Sequence, residues 1–145
     1  ATVPPSVTVP SGQVSANFTV FTAGVQANTG VVLSGTIGAT TKTAFFAVNA
    51  PSLTTLTLSP TTVVGGNQTV MTLGLDGIAP VGGRSIVLIS GAPGIVFVPG
   101  TGVVPQAATT VNLNINTAVV TSSINVTVFA TRSGIYKTTT LTVTP

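Results

Sequence analysis

An all-β protein is expected, on three observations. Among 145 residues, 28 are Thr and 24 are Val; such β-branched side chains lose rotamer freedom in a helix but pack well on a pleated sheet. Chain punctuators recur throughout, with 16 Gly and 10 Pro. Between them lie short runs of alternating apolar and polar residues, the pattern of half-buried strands in a sandwich or barrel. No stretch combines helical periodicity with capping residues.

In chain order, Val14, Ala16, Phe18 and Val20 alternate with Ser15, Asn17 and Thr19 and predict a first strand. Residues 53–58, 70–75 and 85–89 follow, with Met71, Leu73 and Leu75 directed inward. The clearest strand is 111–116, where Val111, Leu113 and Ile115 share a core face and three Asn share the wet one. Residues 124–128 and 140–143 repeat that pattern. Turns are expected at Gly65-Gly66-Asn67, from Asp76-Gly77 through Gly82-Gly83, and at Arg132-Ser133-Gly134. The longest apolar runs, 86–89 and 95–98, are far shorter than the roughly 20 residues of a spanning helix. Six Phe and one Tyr are too few for the aromatic girdles of an outer-membrane barrel. No basic segment precedes an apolar one at the start, and Ala1 stands where Met would, so the chain reads as a mature product or an excised fragment.

Charge is nearly absent. Lys42, Arg84, Arg132, Lys137 and Asp76 are the whole charged set, 3% of the chain against about 25% in ordinary proteins. There is no His, Cys, Trp or Glu. One carboxylate without imidazole or thiol makes no acid–base pair, triad or dyad, and donors for a transition metal or a calcium cage are missing. No enzyme activity, cofactor or metal is therefore expected. The net charge of +3 comes from scattered cations, without the one-sided basic footprint that nucleic-acid binding needs. High hydropathy with low charge is the reverse of a disordered composition.

Displacing the chain on itself by 95 positions lays residues 1–50 over 96–145 without a gap. Thirteen of the 50 pairs are identical, among them Pro4/Pro99, Pro10/Pro105, Asn17/Asn112, Thr22/Thr117 and Lys42/Lys137. Phe18/Leu113, Val20/Ile115, Leu33/Val128 and Phe46/Leu141 keep apolar character at inward positions. Abundant Thr and Val inflate chance identities, so the weight rests on the prolines, the lysines and the Asn. Self-similarity at a fixed displacement marks tandem repeats. Residues 51–145 then form one complete repeat, with three strands in its first half and three or four more in its second. Residues 1–50 are the second half of another. About 95 residues with seven short strands match an immunoglobulin-like β-sandwich, giving one complete and one partial sandwich. Three strands from fifty residues cannot close a sandwich, so the apolar face and open edges of 1–50 require cover.

The segments Leu56-Thr57-Leu58-Ser59-Pro60, Ala79-Pro80-Val81-Gly82-Gly83 and Val3-Pro4-Pro5-Ser6-Val7-Thr8-Val9-Pro10-Ser11-Gly12 resemble those of bacterial immunoglobulin-like tandem repeats, which close on a strand similar to Thr140–Pro145 here. The resemblance covers the whole chain as one half-repeat and one full repeat. It implies large secreted or cell-surface proteins whose modules serve as spacers, adhesins or surface fibres, and it transfers no catalytic residue. The second copy departs at Val104-Pro105-Gln106-Ala107, which lacks the Ser-Gly of 11–12.

The resulting expectation is a non-enzymatic extracellular structural protein. It is a repeat module building a cell-surface fibre, filament or stalk by strand complementation, between chains or with adjoining repeats. A head-to-tail join of that kind propagates as an open filament. Self-association also suits the low charge, since a free monomer ordinarily keeps charged groups on its surface. The alternative is an adhesin or carbohydrate-binding module, with loops 76–83 and 100–104 holding the ligand. Three sequons, at Asn17, Asn67 and Asn125, mark candidate glycosylation sites that would solvate such a surface. Lys42 and Lys137 hold equivalent places just before the last strand of each repeat, where an edge lysine discourages unwanted pairing. A Lys–Asn isopeptide crosslink is the other reading; it needs a buried acid, and Asp76-Gly77 reads as a turn. Phe21, Phe45 and Phe46 are expected to pack on sheets.

Overall fold

A computed structural model describes residues 1–145. It contains eleven strands and no helix: β1 (Thr29–Ile37), β2 (Thr40–Val48), β3 (Leu53–Ser59), β4 (Thr62–Val64), β5 (Gln68–Leu75), β6 (Arg84–Ser90), β7 (Val96–Phe97), β8 (Thr101–Val104), β9 (Thr110–Thr117), β10 (Ile124–Arg132) and β11 (Ile135–Thr144). No helix is long and apolar enough to cross a membrane. Two sheets form within 51–145, ordered β4-β11-β10-β6-β8 and β3-β5-β9-β7, and β1-β2 stands apart as a hairpin. All pairings are antiparallel except that of β4 with β11.

Alternation places the core. Leu56 and Leu58 of β3, Met71 and Leu73 of β5 and Ile115 of β9 face Ile86 and Leu88 of β6, Val126 and Val128 of β10, and Leu141 and Val143 of β11. Every one of these residues is buried. The two sheets therefore share one apolar layer, an arrangement consistent with a β-sandwich. Outward positions on β5 and β9 pair through polar side chains: Gln68 Nε2 donates to Asn116 Oδ1 at 2.7 Å and Thr72 Oγ1 to Asn112 Oδ1 at 2.8 Å. These cross-strand bonds account for two of the three Asn on the wet face of 111–116, Asn112 and Asn116. Five charges suffice because uncharged amides and hydroxyls take over the solvated face.

The 95-residue displacement reappears in the backbone. β1 pairs with β2 from Thr29↔Val48 to Ile37↔Thr40, and β10 pairs with β11 from Ile124↔Val143 to Arg132↔Ile135, the same register 95 positions on. The isolated bridge Thr2↔Phe21 matches Phe97↔Asn116 of β7 and β9. The departure at Val104-Pro105-Gln106-Ala107 also resolves. Gln13 N donates to Pro10 O and Ala108 N to Pro105 O, both at 3.0 Å. Positive φ falls on Gly12 (81°) in one turn and on Ala107 (64°) in the other. Both turns thus have the form that requires a left-handed third residue, and the second achieves it with alanine.

Three expectations are corrected. Residues 14–20 form no strand; two strands and one bridge, instead of three strands, come from 1–50. The reason is non-local. The matching strand β9 pairs along its length with β5, and 1–50 contain no counterpart of β5, so an alternating segment is left without a ladder. Residues 51–145 hold nine strands where seven were expected, four before Ile95 and five after it. Lys42 and Lys137 lie inside β2 and β11, not before them.

No residue of 1–50 is buried, which separates the two segments energetically. Leu141→Ala should lower the unfolding free energy by about 2–5 kcal/mol. Phe46→Ala, at the matching but half-buried position, should lower it by less than about 1 kcal/mol, both measured by urea denaturation. A left-handed alanine costs about 1–2 kcal/mol, partly offset by the added freedom of glycine in the unfolded chain. Ala107→Gly should therefore raise the urea midpoint, and a lowered midpoint would contradict the strain argument.

Candidate functional site

Two features stand out from the scaffold: a joint between the segments and an open apolar face. The joint is built where residues 22–28 cross the β5–β6 connection. Gln26 Nε2 donates to Val81 O at 3.0 Å and Gly83 O at 3.3 Å, while Arg84 Nη1 donates to Gln26 O at 2.7 Å. The contact is a reciprocal clasp in which each side supplies both donors and acceptors. Glycine makes the close approach possible, since a Cβ on Gly24 would lie 2.4 Å from Ile78 O. Two further bonds hold the connecting chain: Ala50 N to Asn28 Oδ1 at 2.9 Å and Ser52 N to Asp76 Oδ1 at 2.7 Å. A cleft of about 550 Å³ remains between the segments, bordered by Thr22, Asn28, Ala50 and Asp76.

Arg84 is only 5% exposed. Burial, then the neighbouring Arg132 charge, push its guanidinium below the ordinary arginine range, and Asp76 opposes them. Arg132 Nη1 donates to Ser85 O. The Nε atoms of both arginines are buried without partners, a cost of about 1–3 kcal/mol or more for each. The cationic groups near this joint thus act as backbone hydrogen-bond donors. Asp76 likewise accepts a backbone N–H, so the site holds chain segments together.

The clasp is not repeated 95 residues on. Gly24, Gln26 and Asn28 become Val119, Thr121 and Ser123, and a valine in the place of Gly24 would meet the carbonyl that passes there.

The second feature is the inner face of the β1–β2 hairpin. Val126, Val128, Ala130, Leu141 and Val143 are all buried; their counterparts Val31, Leu33, Gly35, Phe46 and Val48 are half-buried or exposed. Apolar groups extend to the outer face as well. Val32 and Phe45, paired across the hairpin, are 64% and 70% exposed where β10 and β11 carry Thr127 and Thr140. The Phe45 ring lies over Gly30, within 2.8 Å of where a Cβ would stand.

The residues expected from sequence scatter across this scaffold. Asn17, Asn67 and Asn125 are all exposed, and Asn125 Oδ1 accepts from Thr142 Oγ1 at 2.8 Å. Lys42 is exposed and Lys137 half-buried; they lie opposite Gly35 and Ala130 in matching register. Lys137 precedes the stretch of β11 covered by β4, which pairs only with Thr142–Thr144. The two loops assigned to a ligand do not form a free binding end: 76–83 lies under residues 24–26, and Thr101–Val104 is the strand β8. Gln26 and Gly24 were not foreseen. The available signal was their difference from Thr121 and Val119 inside an otherwise maintained repeat.

Gln26→Ala and Gly24→Val should each release the 1–50 segment from the β5–β6 connection. In NMR relaxation, β1–β2 should tumble independently of 51–145 in both variants and together with it in the parent chain; unchanged coupling in both would show that the joint lies elsewhere. No family model matches this chain, and no curated protein matches it.

Proposed function

We propose that this chain is a non-enzymatic extracellular structural protein, a run of immunoglobulin-like β-sandwich modules that builds a cell-surface fibre, filament or stalk. Residues 51–145 are one complete module and residues 1–50 the second half of another, completed by strands from outside this stretch. The observation that carries the reading is the shared 95-residue displacement of sequence, hairpin register, bridge and turn.

Strand order supports the module type. The orders β3-β5-β9-β7 and β6-β10-β11 correspond to the two sheets of an immunoglobulin sandwich, with β4 and β8 added at the edges. β8 departs from that plan, because it follows β7 in the chain yet returns to flank β6. The resemblance to bacterial immunoglobulin-like tandem repeats supplies the extracellular setting, and the three exposed sequons agree with it. The stapled joint suits load-bearing, since it fixes one module on the next through backbone contacts.

Antibodies against residues 51–145 should label intact, unpermeabilised source cells and decorate fibres in electron micrographs. Label that appears only after permeabilisation would overturn the reading.

A further inference from the structure

The groove on the 1–50 segment sits where β6 sits in the 51–145 segment. One wall is Leu33–Thr36 of β1 and the other includes Ser6 and Val7, enclosing about 510 Å³. Advanced by 95, the first wall becomes Val128–Thr131, the β10 residues that pair with β6. The second becomes Thr101 and Gly102, the β8 residues that pair with the other edge of β6. Residues matching both edge partners of β6 therefore line one groove, and no strand lies between them.

Resting on the tandem-module reading above, we infer that this groove accepts a β6-like strand belonging to a four-stranded segment patterned as residues 51–95. The 51–145 segment supplies the template. There, β3 and β5 cover the face that stands open on 1–50, β4 and β6 extend the β10–β11 sheet, and β5 and β6 are the strands that bond to β9, β10 and β8. A second copy of the chain does not serve. Each chain has one set of β3–β6 and two sets of their partners, so exchange between copies always leaves one set open. The fit to a 51–95 pattern is tight where Gly102 stands. A Cβ on Gly102 would lie 2.6 Å from Leu73 Cδ1, and the residue matching Gly102 is Val7. Where Leu73 stands, the incoming segment must therefore shift the side-chain tip or carry a smaller residue, and alanine removes the overlap outright. Its recognition is main-chain pairing along a free edge, with apolar side chains at alternate positions.

The test adds a copy of residues 51–95 carrying Leu73→Ala ahead of Ala1, so that Ile95 of the copy precedes Ala1 as Ile95 precedes Val96. Amide exchange at 15–21 and 33–36 should slow by at least about 100-fold, with protection of 53–143 retained. A register check uses the absence of native cysteines. Ser34→Cys should crosslink to Ile89→Cys of the added copy, as Phe129 pairs with Ile89, and not to Val87→Cys. If the fusion fails to fold, the same copy is supplied as a separate polypeptide to the intact chain and must give the same protection. Unchanged exchange in both forms overturns the inference, as does protection of 33–36 in the unmodified chain through dimerisation. Cell-surface labelling reports on the fibre reading separately: protected amides without surface label would leave the groove assigned and the fibre rejected.

Discussion

Each sheet of the 51–145 segment is held together by a strand that hydrogen-bonds on both edges: β5 joins β3 to β9, and β6 joins β10 to β8. Antiparallel pairing satisfies a strand only when a neighbour occupies each edge that is not solvated. Without β3 to β6, the segment that contains both of those strands, what survives is a β10–β11 hairpin and a short β7–β9 contact, with β8 unpaired. That remainder is what residues 1–50 display: the β1–β2 hairpin, the Thr2↔Phe21 bridge, and extended chain at 6–9 and 14–20. The 51–145 segment thus differs from 1–50 by the presence of β3 to β6, of which β5 and β6 pair on both edges.

The same constraint explains the distribution of apolar surface. Val31, Leu33, Phe46 and Val48 carry the inward pattern of a core, but no opposing sheet reaches them. These four side chains are only half-buried. On 51–145 the matching residues are dry, because β3 and β5 lie across from them.

Polar groups are used sparingly and mainly on backbone. Arg84 and Arg132 donate to carbonyls, Asp76 accepts from Ser52, and Gln26 bridges two carbonyls of a glycine-rich turn. Such contacts fix geometry between segments without opposite charges. In a chain with five charged side chains, amide and hydroxyl pairs such as Gln68–Asn116 and Thr72–Asn112 supply the solvated surface instead.

By itself the sequence determined which residues could form strands and which way they face. Period-two alternation is a local property, so Met71, Leu73, Ile115, Val126 and Leu141 were readable as core, and the displaced identities were readable as a repeat. The turn at Ala107 and the clasp of Gln26 with Arg84 were not readable: a left-handed alanine breaks local preference, and the clasp joins residues far apart in the chain. Tertiary structure alone decided whether an alternating run became a strand. Residues 14–20 and 110–117 carry closely similar patterns, yet only the second has β5 beside it, because a backbone hydrogen bond needs a partner that no local pattern can supply.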